Sequence, residues 1–498
     1  MTNLKRRIFT GSLWSLIGNG AQQLVGIFLF VYIARHLTPA DVGLVGLAMV
    51  FVEILSFGSR WGQVEVLQRQ PNLSDRMLST SFWLLTAGGL AITLIIAAGA
   101  QVITFALPGQ ALFGWVLLML APIVGLRAWN AVPEAILKRR FDYRSLAART
   151  WVATLLGGFC GGYLAYRGLG IYSLIAQRLV TAVIGAITSW TVLKWHPRLS
   201  FDRTEAGYLV RTGADVMGAG FASVLNQRIA EGMTGFGLGA AQLGLLRLTG
   251  RLFDFIAQGT VQPVSNVALS TFSQLQHDRE AMKRAYLRLT QFMVLGSLPM
   301  YFGLGAVADV FVPLILGTKW AGAIIVIQLM SFSRIAAPVN YFFGPAMIAV
   351  GKTRVVLRQA IAQVFMTIVL IAIGSFFGLV GVLVAITARA IIVAAYNVYA
   401  LRKEIGLETL AVLGVLVPPT AACGAMVVAV EVAKRAFAGS FAPVWMLIFL
   451  VAIGGVTYGA SLLLGDIIGL WRGYLRGAAG SLAGALGRRS LSPKAAPA

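Results

Sequence analysis

At 498 residues, with 58% hydrophobic and only 12% charged side chains and a mean hydropathy of +0.80, the chain has half the charge share of a soluble protein, about 25%, which excludes a soluble globular fold. It carries 41 Lys and Arg against 18 Asp and Glu, a net charge of +23. Such basicity would suit nucleic-acid binding, but here it sits in short connections between apolar segments, mostly on alternate ones, which is a matter of membrane topology.

Apolar windows long enough to span a bilayer, about 17–25 residues, recur from end to end, and about 14 are predicted. Strand-length alternating segments are absent, so helices rather than a barrel satisfy the backbone. The first window, 11–34, follows "MTNLKRR" and carries Ser12, Ser15, Asn19 and Gln22 as one polar stripe. With Gln23 also interrupting the run and no small-x-small site closing it, this reads as an uncleaved span rather than a secretory signal. Windows at 42–59, with Glu53, 79–100, 111–133, with Arg127, 148–166, and 169–193, with Arg178, complete the first half. Within 148–166, Gly157/Gly161 and Gly158/Gly162 have the small-xxx-small spacing of close helix packing. The second half runs 213–236, 244–272, 289–316, 322–349, 357–377 and 379–400, followed by 410–431 and 442–464. Pro338 and Pro345 are expected to kink or break the 322–349 span. The tail after Leu464 is basic, and its end, "GRRSLSPKAAPA", is predicted to be disordered.

With the N-terminus placed in the cytoplasm, the cytoplasmic connections, counted with Arg149 and Arg358 at the first turns of the spans that follow them, hold 29 Lys and Arg and the opposite side only 5, namely Arg35, Arg167, Lys319, Lys434 and Arg435. That asymmetry predicts that both termini are cytoplasmic. The chain also repeats itself. "LTPADVGLVGLA" (37–48) aligns with "LGAAQLGLLRLT" (238–249), with Gly43 and Gly244 in register. "GIYSLIAQR" (170–178) aligns with "GVLVAITAR" (381–389), with Arg178 and Arg389 in register. Two matches in the same order predict two six-helix lobes, 1–200 and 201–405, related by a pseudo-two-fold axis along the membrane normal. Two added helices, 406–465, and a basic tail, 466–498, follow. The fold class is all-α and polytopic.

An ionisable side chain at mid-membrane costs at least about 2.5–3.5 kcal/mol, so it normally faces protein or water. Seven arginines fall within spans beyond their first turn: Arg127, Arg178, Arg228, Arg247, Arg251, Arg334 and Arg389. The deepest acids are Glu53, Asp215, Glu231 and Asp254. Arg247, Arg251, Asp254 and Gln258 step along one helix face, and Asn226, Gln227, Arg228 and Glu231 cluster in the preceding span. These residues are either helix-locking pairs, Arg228 with Glu231 and Arg251 with Asp254, or the lining of a wet cationic cavity. Seven arginines exceed the nearby acids, and the planar guanidinium fork suits phosphate or carboxylate, so a cavity binding an anion is expected. The acids are candidates for carrying H⁺ or Na⁺. Cys160 and Cys423 lie within spans as small packing residues, His36, His196 and His277 are scattered, and no catalytic motif occurs. Neither a metal, a cofactor nor an enzyme activity is expected.

The stretch "FGSRWGQVEVLQRQPNLSDRMLSTSFW" (57–83) resembles the loop between the second and third spans of the polysaccharide transporter family. These are the Wzx-type flippases of the multidrug/oligosaccharidyl-lipid/polysaccharide exporter superfamily. "HLTPADVG" (36–43), "LKRRFDYRSLAAR" (137–149), "LGAAQLG" (238–244) and "LGTKW" (316–320) match in family order. The resemblance implies twelve core helices, often with two more, and a cationic lumen lined by spans 1, 2, 7 and 8. It implies movement of undecaprenyl-diphosphate-linked oligosaccharide across the bacterial inner membrane, with a polysaccharide polymerase and a chain-length regulator as partners. One departure is Ala230, which stands where relatives often have Asp, with Glu231 beside it. A multidrug exporter of the same superfamily predicts an acid-dominated cavity, a glycan polymerase or ligase predicts a large periplasmic loop, and the sequence has neither. A lipid II flippase is the remaining relative, and the 57–83 loop favours the polysaccharide branch.

Overall fold

A computed structural model describes residues 25–60, 62–70, 73–140, 142–193, 195–469, 471 and 474. Among the described residues every regular element is helical. The first half comprises α1 (Val25–His36), α2 (Pro39–Arg60), α3 (Gln63–Arg69), α4 (Asp75–Ala106), α5 (Ala111–Leu120), α6 (Pro122–Trp129), α7 (Ala131–Arg139), α8 (Tyr143–Tyr166) and α9 (Ile171–Val192). The second comprises α10 (Arg203–Leu238), α11 (Ala240–Thr260), α12 (Gln262–Gln274), α13 (Arg279–Ala306), α14 (Ala308–Phe311), α15 (Ala323–Ser333), α16 (Ala337–Ala349), α17 (Thr353–Ser375) and α18 (Gly378–Ile405). α19 (Thr409–Ala436) and α20 (Pro443–Ile467) follow. Every window from 42–59 onward falls on these helices. Of the polar stripe in the first window, Ser12, Ser15, Asn19 and Gln22 all lie outside the described residues.

The protein is an all-α polytopic membrane protein. Among the described residues, nine spans are long and apolar enough to cross a bilayer, or ten if the pair bent by 60° at Val307 is one span. Large apolar side chains that would be anomalous in water, such as Phe105, Phe365 and Phe376, are exposed, as a lipid-facing surface requires. α10, with 36 residues, measures about 54 Å at 1.5 Å per residue and overshoots the roughly 30 Å hydrocarbon core.

Helix starts on the basic side share one device. Ser74, Asp142, Asp202 and Asp278 each accept a bond from a backbone N–H of the first turn that follows them, beginning α4, α8, α10 and α13. These caps satisfy donors that the helix leaves unpaired, each worth about 1 kcal/mol. Two backbone donors, Thr204 and Glu205, hold the Asp202 carboxyl below its usual range, with Arg76 adding to the effect.

Two compact units form: residues 1–252 with 315–320 and 360–382, and residues 253–314 with 321–359 and 383–498. In the first, α2 is the most enclosed span, with 61% of its apolar window buried against 11% for α17. α2 packs on α5, α6 and α10. The glycines of α8 serve two neighbours. Gly157 and Gly161 let α8 press on α9 at Gln177 and Thr181, while Gly158 and Gly162 face Leu29 and Tyr32 of α1. The 57–83 stretch turns through α3, whose last carbonyls, those of Leu67 and Gln70, are capped by Arg139, while Ser81 Oγ donates to the buried Gln63 at 2.7 Å. Beside it Trp129, Trp190 and Trp195 stack, and Trp83 Nε1 donates to the Arg198 carbonyl at 2.8 Å. An aromatic group of this kind is typical of the membrane–water interface.

The second unit has its core at Phe272, Tyr286, Met293, Phe342 and Leu401. Cys423 of α19 is fully buried against Leu298 and Met426, a packing position. The span predicted at 322–349 is interrupted by a tight turn, Arg334–Ala336, just before Pro338. The one predicted at 244–272 divides between α11 and α12 at Val261, next to Pro263.

The tightest glycine contacts in the first unit join α2 to α11. A methyl group at Gly43 would overlap the Ala240 carbonyl, and one at Gly244 would overlap the Pro39 carbonyl. Each glycine admits the first turn of the other helix, and neither backbone can yield. Gly43→Ala or Gly244→Ala is therefore expected to lower stability by about 1–3 kcal/mol, the cost of overpacking. Gly88→Ala, at an open helical position, should be neutral or slightly stabilising. Thermal unfolding midpoints in detergent check this, and equal midpoints for all three variants would refute it.

Candidate functional site

Four charged side chains of the first unit form an alternating chain. Glu53 of α2 contacts Arg228 Nε of α10 at 2.6 Å. Arg228 Nη1 donates to both oxygens of Glu231, at 2.8 and 2.9 Å. Arg247 of α11 donates through Nη2 to the same Glu231. The sequence Glu53–Arg228–Glu231–Arg247 thus ties three helices together, with side chains only 15–21% exposed. The i,i+3 spacing provides the Arg228–Glu231 contact. The Arg247 contact depends on α2 as well, because a methyl at Gly46 would overlap the Arg247 side chain. In the repeat alignment Gly46 is the counterpart of Arg247, so the glycine of one repeat makes room for the guanidinium of the other.

Further arginines surround this chain. The Arg178 guanidinium of α9 feels the charges of Arg251, Glu53, Arg247 and Arg127. Arg127, in the last turn of α6, feels those of Arg60, Glu53, Arg228 and Glu134. Arg251 of α11 lies over the Phe30 ring at 5.0 Å, a cation–π contact. Asn226, on the same helix as Arg228, accepts from Thr367 Oγ1 at 2.6 Å. Of the residues singled out in the sequence, Glu53, Arg127, Arg178, Arg228, Glu231, Arg247 and Arg251 therefore belong to one group, in which five arginines meet two glutamates. Arg60, at the end of α2 and just beyond the 42–59 apolar window, extends the group. Its Nε is buried without a hydrogen-bond partner among the described residues.

The second unit holds Arg334, Arg389 and Asp254. Arg334, at the turn between α15 and α16, lies over Phe253 at 4.9 Å and Tyr301 at 5.5 Å. Tyr301 is fixed by its OH donating to the Phe253 carbonyl at 3.4 Å, and its own carbonyl accepts from Ser331 Oγ at 2.9 Å. Arg389 feels the charge of Arg334, and the charge of Asp254 reaches Tyr301 and Tyr341. Asp215 lies on α10. Among the described residues no three His, Cys, Asp or Glu side chains stand together as metal ligands.

Chemically, the first-unit group can hold a multivalent anion. Guanidinium forks at several angles match phosphate oxygens, and two glutamates keep the group from being prohibitively charged when empty. Breaking the ion chain leaves a partner unpaired, which is costlier than never burying the pair. Arg228→Gln is expected to destabilise by about 2 kcal/mol, and Glu53→Gln added to it should restore part of that loss. A double-mutant cycle on thermal unfolding checks this, and additive effects would mean that the two residues do not interact.

Several proteins of known role are similar to this one. The succinoglycan biosynthesis transport protein ExoT of Rhizobium meliloti (strain 1021) is 27% identical over 371 residues, 73% of this chain and 74% of ExoT. The lipopolysaccharide biosynthesis protein WzxC of Escherichia coli (strain K12) is 21% identical over 379 residues, 75% of this chain and 76% of WzxC. Among solved structures, the lipid II flippase MurJ in an inward closed conformation superposes with a TM-score of 0.74 at 14% identity, covering 92% of this chain and 100% of MurJ. An inward-facing multidrug resistance MATE family transporter gives 0.61 at 16% identity, covering 77% and 94%. At such identities these two show a shared fold. The model of the family described as "Polysaccharide biosynthesis protein" matches residues 32–325, more than half of the chain, and the chain belongs to that family.

Proposed function

We propose that this protein is a flippase that moves undecaprenyl-diphosphate-linked oligosaccharide from the cytoplasmic to the periplasmic leaflet of the bacterial inner membrane. The exported units feed exopolysaccharide, capsule or O-antigen biosynthesis. The observation that carries this reading is the excess of arginine over glutamate around Glu53, Arg127, Arg178, Arg228, Glu231, Arg247 and Arg251. A cation exporter needs the opposite sign, and an enzyme needs a reactive group that the site lacks. Membership of the family and the transport role in the name of ExoT support the same conclusion.

The mechanism is alternating access between two lobes, 1–200 and 201–405, with 406–465 as added helices and both termini cytoplasmic. Arginines capture the diphosphate and any acidic sugars, the glycan enters the lumen, and the polyprenyl tail stays in lipid. Arg334 and Arg389 form a separate cationic pair in the second unit. Glu231, Glu53 and Asp254 are the candidates for carrying H⁺ or Na⁺, and membrane potential acting on the charged substrate is the alternative drive. A polysaccharide polymerase and a chain-length regulator receive the exported units.

Arg251→Ala is expected to abolish surface polysaccharide while the protein persists in the membrane, and Arg251→Lys to recover only part of it, since lysine lacks the bidentate fork. Surface glycan staining against a membrane immunoblot measures both, and full activity of the alanine variant would remove Arg251 from the site. Deleting the gene should leave the lipid-linked oligosaccharide in the inner leaflet, inaccessible to a periplasm-restricted glycan probe on intact cells. Unchanged probe access would refute the flippase reading.

A further inference from the structure

The second unit contains a cavity that the charged residues do not explain. It measures about 460 Å³ and lies between the 334–336 turn, α16, α18 and α19. Its walls are aliphatic, with Val339, Val398, Val412 and Leu416 among them, and its polar groups are Tyr399, Arg402 and Thr409. Tyr399 and Arg402 are i,i+3 neighbours on one face of α18. An apolar slot with its charge at one end fits a ligand with an apolar body and an anionic head.

Size and length identify the class. Its volume is in the range of ordinary ligand pockets, roughly 300–1,000 Å³, enough for one acyl chain, and an undecaprenyl chain is much longer. Along α18 the lining runs from Ile391 to Arg402, about 16 Å at 1.5 Å per residue. This is close to one leaflet's share of a hydrocarbon core about 30 Å thick. Arg402 is exposed, and no described carboxylate pairs with it. The nearby Glu404 is taken by Lys352 at 3.0 Å. The last turn of α18 also carries Lys403, which keeps this end basic despite Glu408.

We propose that this groove holds one acyl chain of an anionic phospholipid, with its phosphate at Arg402, as a resident lipid distinct from the transported one. The proposal is independent of the flippase reading, since it rests on residues of the second unit outside the arginine groups.

The full-length protein in mild detergent, analysed by native mass spectrometry with chain-matched phosphatidylglycerol and phosphatidylcholine, tests it. Wild type should retain phosphatidylglycerol in preference to phosphatidylcholine. Arg402→Gln, at an exposed position that leaves folding intact, should reduce that preference about fivefold. Ala395→Phe, which fills the groove from an exposed lining position, should lose the retained lipid of either kind. Equal retention of the two lipids by wild type, or unchanged retention by both variants, would overturn the proposal. Displacement of phosphatidylglycerol by inorganic phosphate would reassign Arg402 to a free anion. Its displacement by undecaprenyl phosphate at equal concentration would reassign the groove to the carrier's tail.

Discussion

Everything in the first unit depends on how arginines are kept inside a membrane. A guanidinium there needs a carboxylate, an aromatic face or water, and among the described residues Glu53 and Glu231 stand where Arg127, Arg178, Arg228, Arg247 and Arg251 gather. Glu53 is the critical one. It is the carboxylate that α2, the most enclosed span, contributes to the group, it contacts Arg228 directly, and its charge is felt at both Arg127 and Arg178. Glu231 bridges Arg228 to Arg247. The result is a group tied across three helices but still net positive, the condition for holding an anion without collapsing onto its own acids.

The placement of that group follows from helix packing at the repeats. Gly43 and Gly244 bring the starts of α2 and α11 into backbone contact, which fixes the register of everything further along both helices. One turn later the repeats diverge, Gly46 on one side and Arg247 on the other. The gap left by the glycine is the space that the arginine stem occupies. A strictly symmetric pair would have put two guanidiniums, or none, at that crossing. The other aligned pair, Arg178 and Arg389, keeps its arginines in both repeats. On the proposed repeat, the aligned glycines set the close packing, and the departure at Gly46 makes room for the arginine.

Much of this is legible in the sequence, and the parts that are not have physical reasons. The spans could be read because the bilayer imposes a length and an apolar content that composition shows directly. Their ends could not, because segments such as 203–212 and 279–288 continue the helix in water under Asp202 and Asp278 caps, where hydropathy has no signal. The Arg228–Glu231 contact follows from i,i+3 spacing, whereas the Glu53 contact joins residues 175 positions apart and follows from no spacing rule. Gly46 looked like any small residue in a membrane helix, and only its repeat alignment with Arg247 marks it. Arg60 falls just beyond the 42–59 apolar window because its charge ends the hydropathy signal, yet it is the last residue of the helix.

Under the proposed function, the balance of charge also bears on how the site turns over. In a half-buried setting an arginine's interaction with phosphate is stronger than at a free surface, and a purely cationic cavity would hold a diphosphate too tightly to release it. Glu53 and Glu231 compete for the same guanidiniums, so a departing phosphate leaves behind arginines that already have partners. The same acids lower the repulsion among the arginines when the site is empty, which an all-arginine cavity would resolve by spreading apart. Binding and release are then both exchanges of one ionic partner for another, with modest net free energy. A cavity that must load on one face of the membrane and unload on the other needs that property more than it needs affinity.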